Sequence, residues 1–301
     1  MANKTVAIIG ARLGSSRLPG KQLLPLEGKP LLSHTTARLR SIGAINDIIL
    51  ATTNTPVNQN LLEWAAREGV TSFAWDGDEN DLMGRVDAAF KSSQADRFVY
   101  VCGDCALIHP DTIASLIEAS IEAGDDGFAC LADLPDGQTY IHEGFDVYNR
   151  GFWASLMAAA VEPFEREHVG AVYHHRKKVK PARLVHVQED KIFSSADHRL
   201  SVDTRRDYLF MRRLYKDWYA ENSPASLVDL RWVVERLKTE PDLVAINRHV
   251  YQKKAEEVAP RVSILCEVGP SIGLGHLARA CAAAASQRPS RSSLIDLMLF
   301  G

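Results

Sequence analysis

Val6-Ala7-Ile8-Ile9-Gly10-Ala11-Arg12-Leu13-Gly14-Ser15-Ser16-Arg17-Leu18-Pro19-Gly20-Lys21 is the stretch from which the rest of the chain is read. Val6 to Ile9 has the apolar character of a buried strand, and a basic, glycine-rich loop follows it. Pro30 then suits the first turn of a helix running to about Ser41. In an open parallel sheet ligands sit at the carboxyl ends of strands, where such a loop must lie. Its glycines let backbone N–H groups approach phosphate oxygens, and Arg12, Arg17 and Lys21 supply compensating charge. A polyphosphate is the guest this chemistry suits. The loop is not a Walker A motif: Gly14 and Gly20 enclose five residues, and Gln22 stands where Ser or Thr would bind magnesium. Nor does it contain the Gly-x-Gly-x-x-Gly of dinucleotide sites. The plainer reading is a surface loop rich in turn-forming residues.

Outward from this stretch, strands and helices take turns. Strands are expected at Asp47 to Thr52, Val70 to Ala74, Arg97 to Cys102 and Gly127 to Leu131, with helices at Val57 to Glu68, Leu82 to Ser92 and Pro110 to Ala123. That alternation implies an α/β fold, a parallel sheet covered on both faces. A polar segment, Asp133 to Gly144, reads as a lid or hairpin. Further on, helices are expected near Trp153 to Ala160 and Glu165 to His175, strands at Arg183 to Val187 and Leu200 to Val202, and helices from Thr204 and Ser226. At 301 residues and 46% hydrophobic, the chain can bury a substantial core. With 35 basic against 38 acidic residues it offers no broad electrostatic footprint for nucleic acid or an anionic membrane. Its apolar runs are too short for a signal peptide or a membrane span, so a cytoplasmic protein is expected. Five scattered cysteines in a chain of this size are expected to be reduced thiols.

Two aspartates carry the second chemical signal. Val99-Tyr100-Val101-Cys102-Gly103-Asp104 is an apolar strand that delivers Asp104 to the same crevice as the loop. Leu200-Ser201-Val202-Asp203-Thr204 reads as another short strand ending in a carboxylate. Strand-end carboxylates suit magnesium, a hard cation that bridges phosphate oxygens in nucleotidyl transfer. Either aspartate alone is more simply a helix cap. Cys102 and Cys105 satisfy Cys-x-x-Cys, but no second cysteine pair accompanies them and the adjacent His174 and His175 point different ways on a helix, so zinc is not expected.

Taken together, these motifs resemble the cytidylyltransferases that activate sialic, legionaminic and related 3-deoxy-2-keto sugar acids, especially the branch called spore-coat polysaccharide biosynthesis protein F. The resemblance runs from about Val6 to Val250. Ala11 to Lys21, Gly28-Lys29-Pro30-Leu31, Gly103-Asp104-Cys105, Pro163 to Val169 and Leu200 to Thr204 carry it. It implies a Rossmann-like, three-layer α/β/α fold with a mostly parallel mixed sheet of the nucleotide-diphospho-sugar transferase type. It also implies CTP as donor, an acidic sugar as acceptor, Mg2+ as cofactor and a homodimer. Catalytic roles fall to Arg12, Lys21, Asp104 and Asp203, the two aspartates holding the metal. Nucleotide contacts are expected at Ala11, Arg12, Gly14, Ser15, Ser16, Lys21, Asp81, Arg85, Cys102 and Gly103. The sugar side is expected at Gly144, Asp146, Arg166 and His168, although Glu165 to His168 also reads as a solvated helix face. The chain departs from the family pattern at Ala106, where proline is usual, and at Val86-Asp87, where aromatic residues are frequent.

Composition shifts after Lys254. A domain over residues 1–250, a linker over 251–260 and a truncated second α/β domain over 261–301 are expected. Arg261 to Val268 reads as a fresh strand, and Gly269 to His276 leads into a helix from Leu277 to Ala285. This segment resembles the start of a nucleotide-sugar hydrolase of glycosyltransferase-B type, with His276 at the position of that family's histidine. The apolar Leu294 to Phe300 tail has no evident partner. Two other functional classes fit the sequence: a type-A glycosyltransferase, whose usual Asp-x-Asp pair is missing near Asp104, and a catalytically idle nucleotide-binding module.

Overall fold

In the computed structural model, residues 4–135, 138–142, 144–250, 261–267, 275–287 and 294–300 are described. They fall into two units, Met1–Glu240 and Pro241–Gly301. The first opens with strand β1 (Thr5–Gly10), a small hairpin of β2 (Pro25–Leu26) and β3 (Lys29–Pro30), and helix α1 (Leu31–Arg40). Then come β4 (Asp47–Thr53), α2 (Gln59–Glu68), β5 (Thr71–Trp75), α3 (Leu82–Ser93), β6 (Arg97–Cys102), α4 (Pro110–Ala123) and β7 (Phe128–Leu131). The unit continues with β8 (Phe145–Asn149), α5 (Arg150–Ala159), α6 (Pro163–Glu167), α7 (Ala171–His174), β9 (Leu184–Val187), α8 (Arg205–Glu221) and α9 (Leu230–Thr239).

Seven strands form one sheet in the order β5-β4-β1-β6-β8-β7-β9. β8 runs antiparallel to both neighbours, and every other pairing is parallel. The chain therefore builds outward from β1 through β4 to β5 and then crosses back to β6 on β1's other side. The reversal leaves a crevice at the carboxyl ends of β1 and β6, where open α/β sheets bind ligands.

Alternation along β1 explains the layers. Ala7 and Ile9 pack with Leu32 and Leu39 of α1, Trp64 of α2 and Ile113 and Leu116 of α4. Val6 and Ile8 point the other way, into Met83 and Val86 of α3 and Phe152 and Trp153 of α5. A strand buried on both faces needs apolar residues at every position, hence the unbroken Val6 to Ile9 run. At about 25 cal/mol per Å² of apolar surface, two such clusters supply the main drive to fold.

The sequence-based elements differ from the structure in four places. Phe145–Asn149 is a central strand, although Asp146 and Tyr148 interrupt its apolar pattern. The expected helix from Glu165 to His175 is two short helices, parted at Gly170, whose φ is 83°. Leu200 to Val202 is irregular extended chain with no ladder of its own, tied by a hydrogen bond from Val202 N to the Asp104 carbonyl at 3.0 Å. The apolar tail has a partner: β11 (Leu294–Phe300) pairs in parallel with β10 (Arg261–Glu267) in the second unit, which also holds α10 (Pro241–Val244) and α11 (Gly275–Gln287). Of the expected C-terminal motif, His276 lies exposed near the start of α11, and residues 268–274 lie outside the described residues, as does the expected linker.

Candidate functional site

Past β1 the chain turns into a loop that closes on itself. Gly20 N donates to the Leu13 carbonyl at 3.1 Å, and Leu13 N donates to the buried Asn58 Oδ1 at 2.8 Å. Asn58 is in turn fixed by donating to Thr53 Oγ1 at 2.6 Å. A buried amide with its partners satisfied is a rigid peg, so the loop is held from the β4 side. On the other side β6 ends against it: Gly103 N donates to the Gly10 carbonyl at 3.0 Å. A Cβ on Gly103 would come within 2.8 Å of Ala11 Cβ and 2.9 Å of Gly10 O, so only glycine allows that approach.

The loop and the strand ends enclose a cleft of about 380 Å³. Lining it are Ala11, Arg12, Gly14, Ser15, Ser16, Lys21, Arg85, Cys102, Gly103, Asp104, His168 and Asp203, all expected from the sequence. Gly10 and Arg17 of the same loop also line it, and Gln22, Leu82 and Tyr100 complete the wall without having been anticipated as ligand contacts.

Lys21 sits at the centre of an ion network. Its Nζ donates to Asp104 Oδ2 at 2.5 Å and to Asp203 Oδ1 at 2.7 Å, with the lysine side chain 7% exposed. Burial alone would lower the Lys21 pKa, but Asp104 and Asp203 outweigh it and the net shift is upward. Burial likewise works to raise Asp203, and Lys21, Arg17 and Arg199 outweigh it, so its pKa falls. Arg17 approaches Asp203 Oδ1 at 3.0 Å and Arg199 donates to Asp203 Oδ2 at 2.7 Å. Arg199 also pairs with Asp207 at 3.1 Å, and Asp207 Oδ2 accepts from the backbone N–H groups of Asp203 and Thr204. Neither central aspartate is a helix cap. Thr204 caps α8 in a reciprocal capping box with Asp207, and His109 occupies the N-cap position of α4. Their carboxylates are thus left for the cleft.

Arg85 is the second unusual group. It is 3% exposed, and its Nε and Nη1 have no hydrogen-bond partner among the described residues. Burial lowers its pKa, opposed first by Tyr100. A buried guanidinium without acceptors is costly, and Arg85 places its charge in the wall of the cleft.

The remaining expected residues are not gathered here. Asp81 caps α3 by accepting from Gly84 N at 2.8 Å and forms an ion pair with Arg166, so these two satisfy each other. Gly144 leads into β8, its carbonyl accepting from Cys102 N at 2.7 Å. Asp146 lines a different cavity, where its Oδ2 accepts from Tyr148 at 2.9 Å and faces His174 Nε2 at 3.2 Å. Of the four sugar-side residues, His168 alone lines the Lys21 cleft.

A parallel-sheet switch point with a glycine-rich basic loop and two convergent carboxylates defines a nucleotide-handling transferase. Comparison with known proteins narrows the class. Residues 6–227 match the family described as cytidylyltransferase. The chain belongs to that family and is a nucleotidyltransferase. It is 28% identical to the uncharacterized protein MJ1063 of Methanocaldococcus jannaschii over 85% of its own length and 99% of that protein's. It is 25% identical to the spore coat polysaccharide biosynthesis protein SpsF of Bacillus subtilis, over 71% of this chain and 87% of that one. A shorter match, 36% identical over 126 residues, joins it to the 3-deoxy-manno-octulosonate cytidylyltransferase of Geobacter metallireducens, covering 40% of this chain and 48% of that protein. Among solved structures, a cytidylyltransferase from Leptospira borgpetersenii superposes with a TM-score of 0.68 at 23% identity, covering 83% of this chain and 99% of that one. At that identity the likeness is one of fold. No helix among the described residues is long and apolar enough to cross a membrane.

Proposed function

We propose that the protein transfers CMP from CTP to an acidic 3-deoxy-2-keto sugar, with magnesium, releasing pyrophosphate. The observation that carries this reading is Lys21 suspended between Asp104 and Asp203 at the carboxyl ends of β1 and β6. The fit to magnesium follows from the donor set. Two carboxylates already share one cation, and no group of three or more His, Cys, Asp or Glu among the described residues forms a closed cage. Magnesium is bound by one or two carboxylates, with phosphate oxygens and water completing its shell. Asp104 and Asp203 would hold it, and it would neutralise charge on the triphosphate and acidify the attacking hydroxyl.

The chain's own residues do the positioning. Gly14 to Ser16 and Arg12 line the cleft, and their backbone N–H groups and guanidinium would serve as phosphate donors. Lys21, released from the carboxylates, turns its charge to the triphosphate. Arg85 adds a buried positive charge to the cleft wall. The acceptor hydroxyl attacks the α-phosphorus, the bond to the β-phosphate oxygen breaks, and pyrophosphate leaves with its charge held by the loop. Rate then comes from alignment and fixed charge. The kinship with sugar-acid cytidylyltransferases supports the choice of nucleotide and acceptor class.

Incubation with magnesium, each of the four NTPs and a panel of 3-deoxy-2-keto sugar acids tests it through pyrophosphate release. Release that requires CTP together with one acid is the expected result. Release with a different NTP, or none with any pair, would overturn the assignment.

A further inference from the structure

Asp104 follows directly on strand β6, but Asp203 lies on chain that belongs to no strand or helix. Side chains must therefore fix its carboxylate, and they do so from two sides. Oδ1 meets Lys21 Nζ at 2.7 Å and Arg17 Nη2 at 3.0 Å, both from residues that line the cleft. Oδ2 accepts from Arg199 Nη2 at 2.7 Å, and Arg199 stands outside the cleft lining.

The two sides differ in how readily they let go. Arg17 is 55% exposed, and an arriving polyphosphate offers both it and Lys21 new charge-assisted partners. Arg199 has no such exit. Its side chain is 9% exposed, its Nε lies 3.1 Å from Asp207 Oδ1, and its Nη2 also donates to Ser201 Oγ at 3.2 Å. Asp207 is buried and anchored in turn, because its Oδ2 accepts from the N–H groups of Asp203 and Thr204 at 3.2 and 2.9 Å within the capping box of α8. The backbone and the side chain of Asp203 are thus tied to the same buried carboxylate, the one directly and the other through Arg199. A planar guanidinium fixes direction as well as charge, which an ammonium does not.

When the cleft cations turn to phosphate, Asp203 gains one free oxygen and keeps the other engaged. That suits magnesium, which takes ligands at about 2.0–2.1 Å in near-ideal octahedral geometry and is content with few carboxylate oxygens. Calcium takes about six to eight oxygens at 2.3–2.6 Å and profits from carboxylates that chelate through both.

We propose that Arg199 is a positioning residue that sets metal specificity: by occupying Oδ2 it restricts Asp203 to one oxygen and so favours magnesium over calcium. The inference rests on the reading of Asp104 and Asp203 as metal carboxylates and gives a role in that site to a residue outside the cleft.

Isothermal titration of CTP into the full chain, in excess magnesium, in excess calcium and in EDTA, tests it without turnover. The ratio of the magnesium to the calcium affinity is the readout, since a merely structural defect weakens both alike. Arg199→Met removes the fork and its charge, and Arg199→Lys keeps the charge alone. The ratio should fall by about 10-fold in Arg199→Met, the worth of one charge-assisted hydrogen bond, and by less in Arg199→Lys. If Arg199→Met does not fold, Arg199→Lys decides by itself. An unchanged ratio in the folded variants overturns the proposal, as does a wild type that needs a metal for CTP but binds equally well with either. A wild type whose CTP affinity is the same in EDTA as in both metals overturns it together with the metal reading beneath it.

Discussion

The Lys21 cleft and the notch beside β8, the cavity that Asp146 and Lys177 line, solve opposite electrostatic problems. In the cleft the charges are closed on one another: Lys21 is shared by Asp104 and Asp203, and Asp203 is also met by Arg17 and Arg199. Such a network can exchange partners when a polyanion and a cation enter together, because each carboxylate released by lysine gains a metal and each lysine gains a phosphate. In the notch the cation Lys177 is exposed and the neighbouring carboxylate Asp146 is held by neutral or weakly basic donors. The difference teaches that the cleft is held by charges that satisfy one another, whereas the notch leaves an exposed lysine beside a carboxylate already engaged by its own neighbours.

The sharpest way to break this contrast is at the centre of the network. Asp104→Asn or Lys21→Ala should lower pyrophosphate release by at least about 10²- to 10³-fold, the usual worth of one preorganised charge in a transition state, with circular dichroism unchanged. Full turnover in both variants would place the chemistry elsewhere. Arg85 sharpens the comparison from the other direction. Arg85→Met should weaken CTP binding by about 10- to 100-fold while raising the melting temperature, since it removes a buried guanidinium with unsatisfied donors. A variant that loses stability and keeps CTP affinity would show Arg85 to be structural.

The smallest effect concerns pH and the wall of the notch. Burial works to raise the Glu189 pKa, but the close approach of His142 Nε2 at 3.2 Å and the hydrogen bond from the Thr112 hydroxyl outweigh it and bring it down to about 2. A carboxylate whose folded pKa lies below its unfolded value stabilises the fold above the ordinary value of 4.5, and that contribution is lost as pH falls toward 2. Glu189→Gln should therefore cost on the order of 1–3 kcal/mol near neutrality and flatten the decline in melting temperature between pH 4.5 and 2. Parallel curves for wild type and variant would remove Glu189 from the support of His142.

Legibility followed contiguity. The loop from Gly10 to Lys21 is one uninterrupted string, so its glycines, hydroxyls and cations announce themselves together, and all of its expected contacts line the cleft. Asp104 is legible for the same reason, being the first carboxylate past an apolar strand. Arg199 was missed because its function lies in bracing Asp203 and Asp207 across an irregular segment with no periodicity to mark it. Asp146, expected on the sugar side with Arg166 and His168, lines a different cavity from His168, and Arg166 pairs with Asp81. The notch instead takes residues from β7, β8, α7 and β9.

What the sequence determined by itself is the strand–loop–helix opening, the succession of parallel strands and the identity of the phosphate loop. Those features express local rules: burial periodicity, backbone freedom at glycine and the charge density of a short segment. Tertiary structure alone decided that β8 enters the sheet antiparallel between β6 and β7, and that Leu294–Phe300 pairs with Arg261–Glu267. It also decided that Lys21 meets an aspartate 182 residues away and that β7 and β8 part to leave a second cavity. Strand pairing and ion pairing are set by which distant groups can be buried and satisfied at the same time, a condition no local pattern contains.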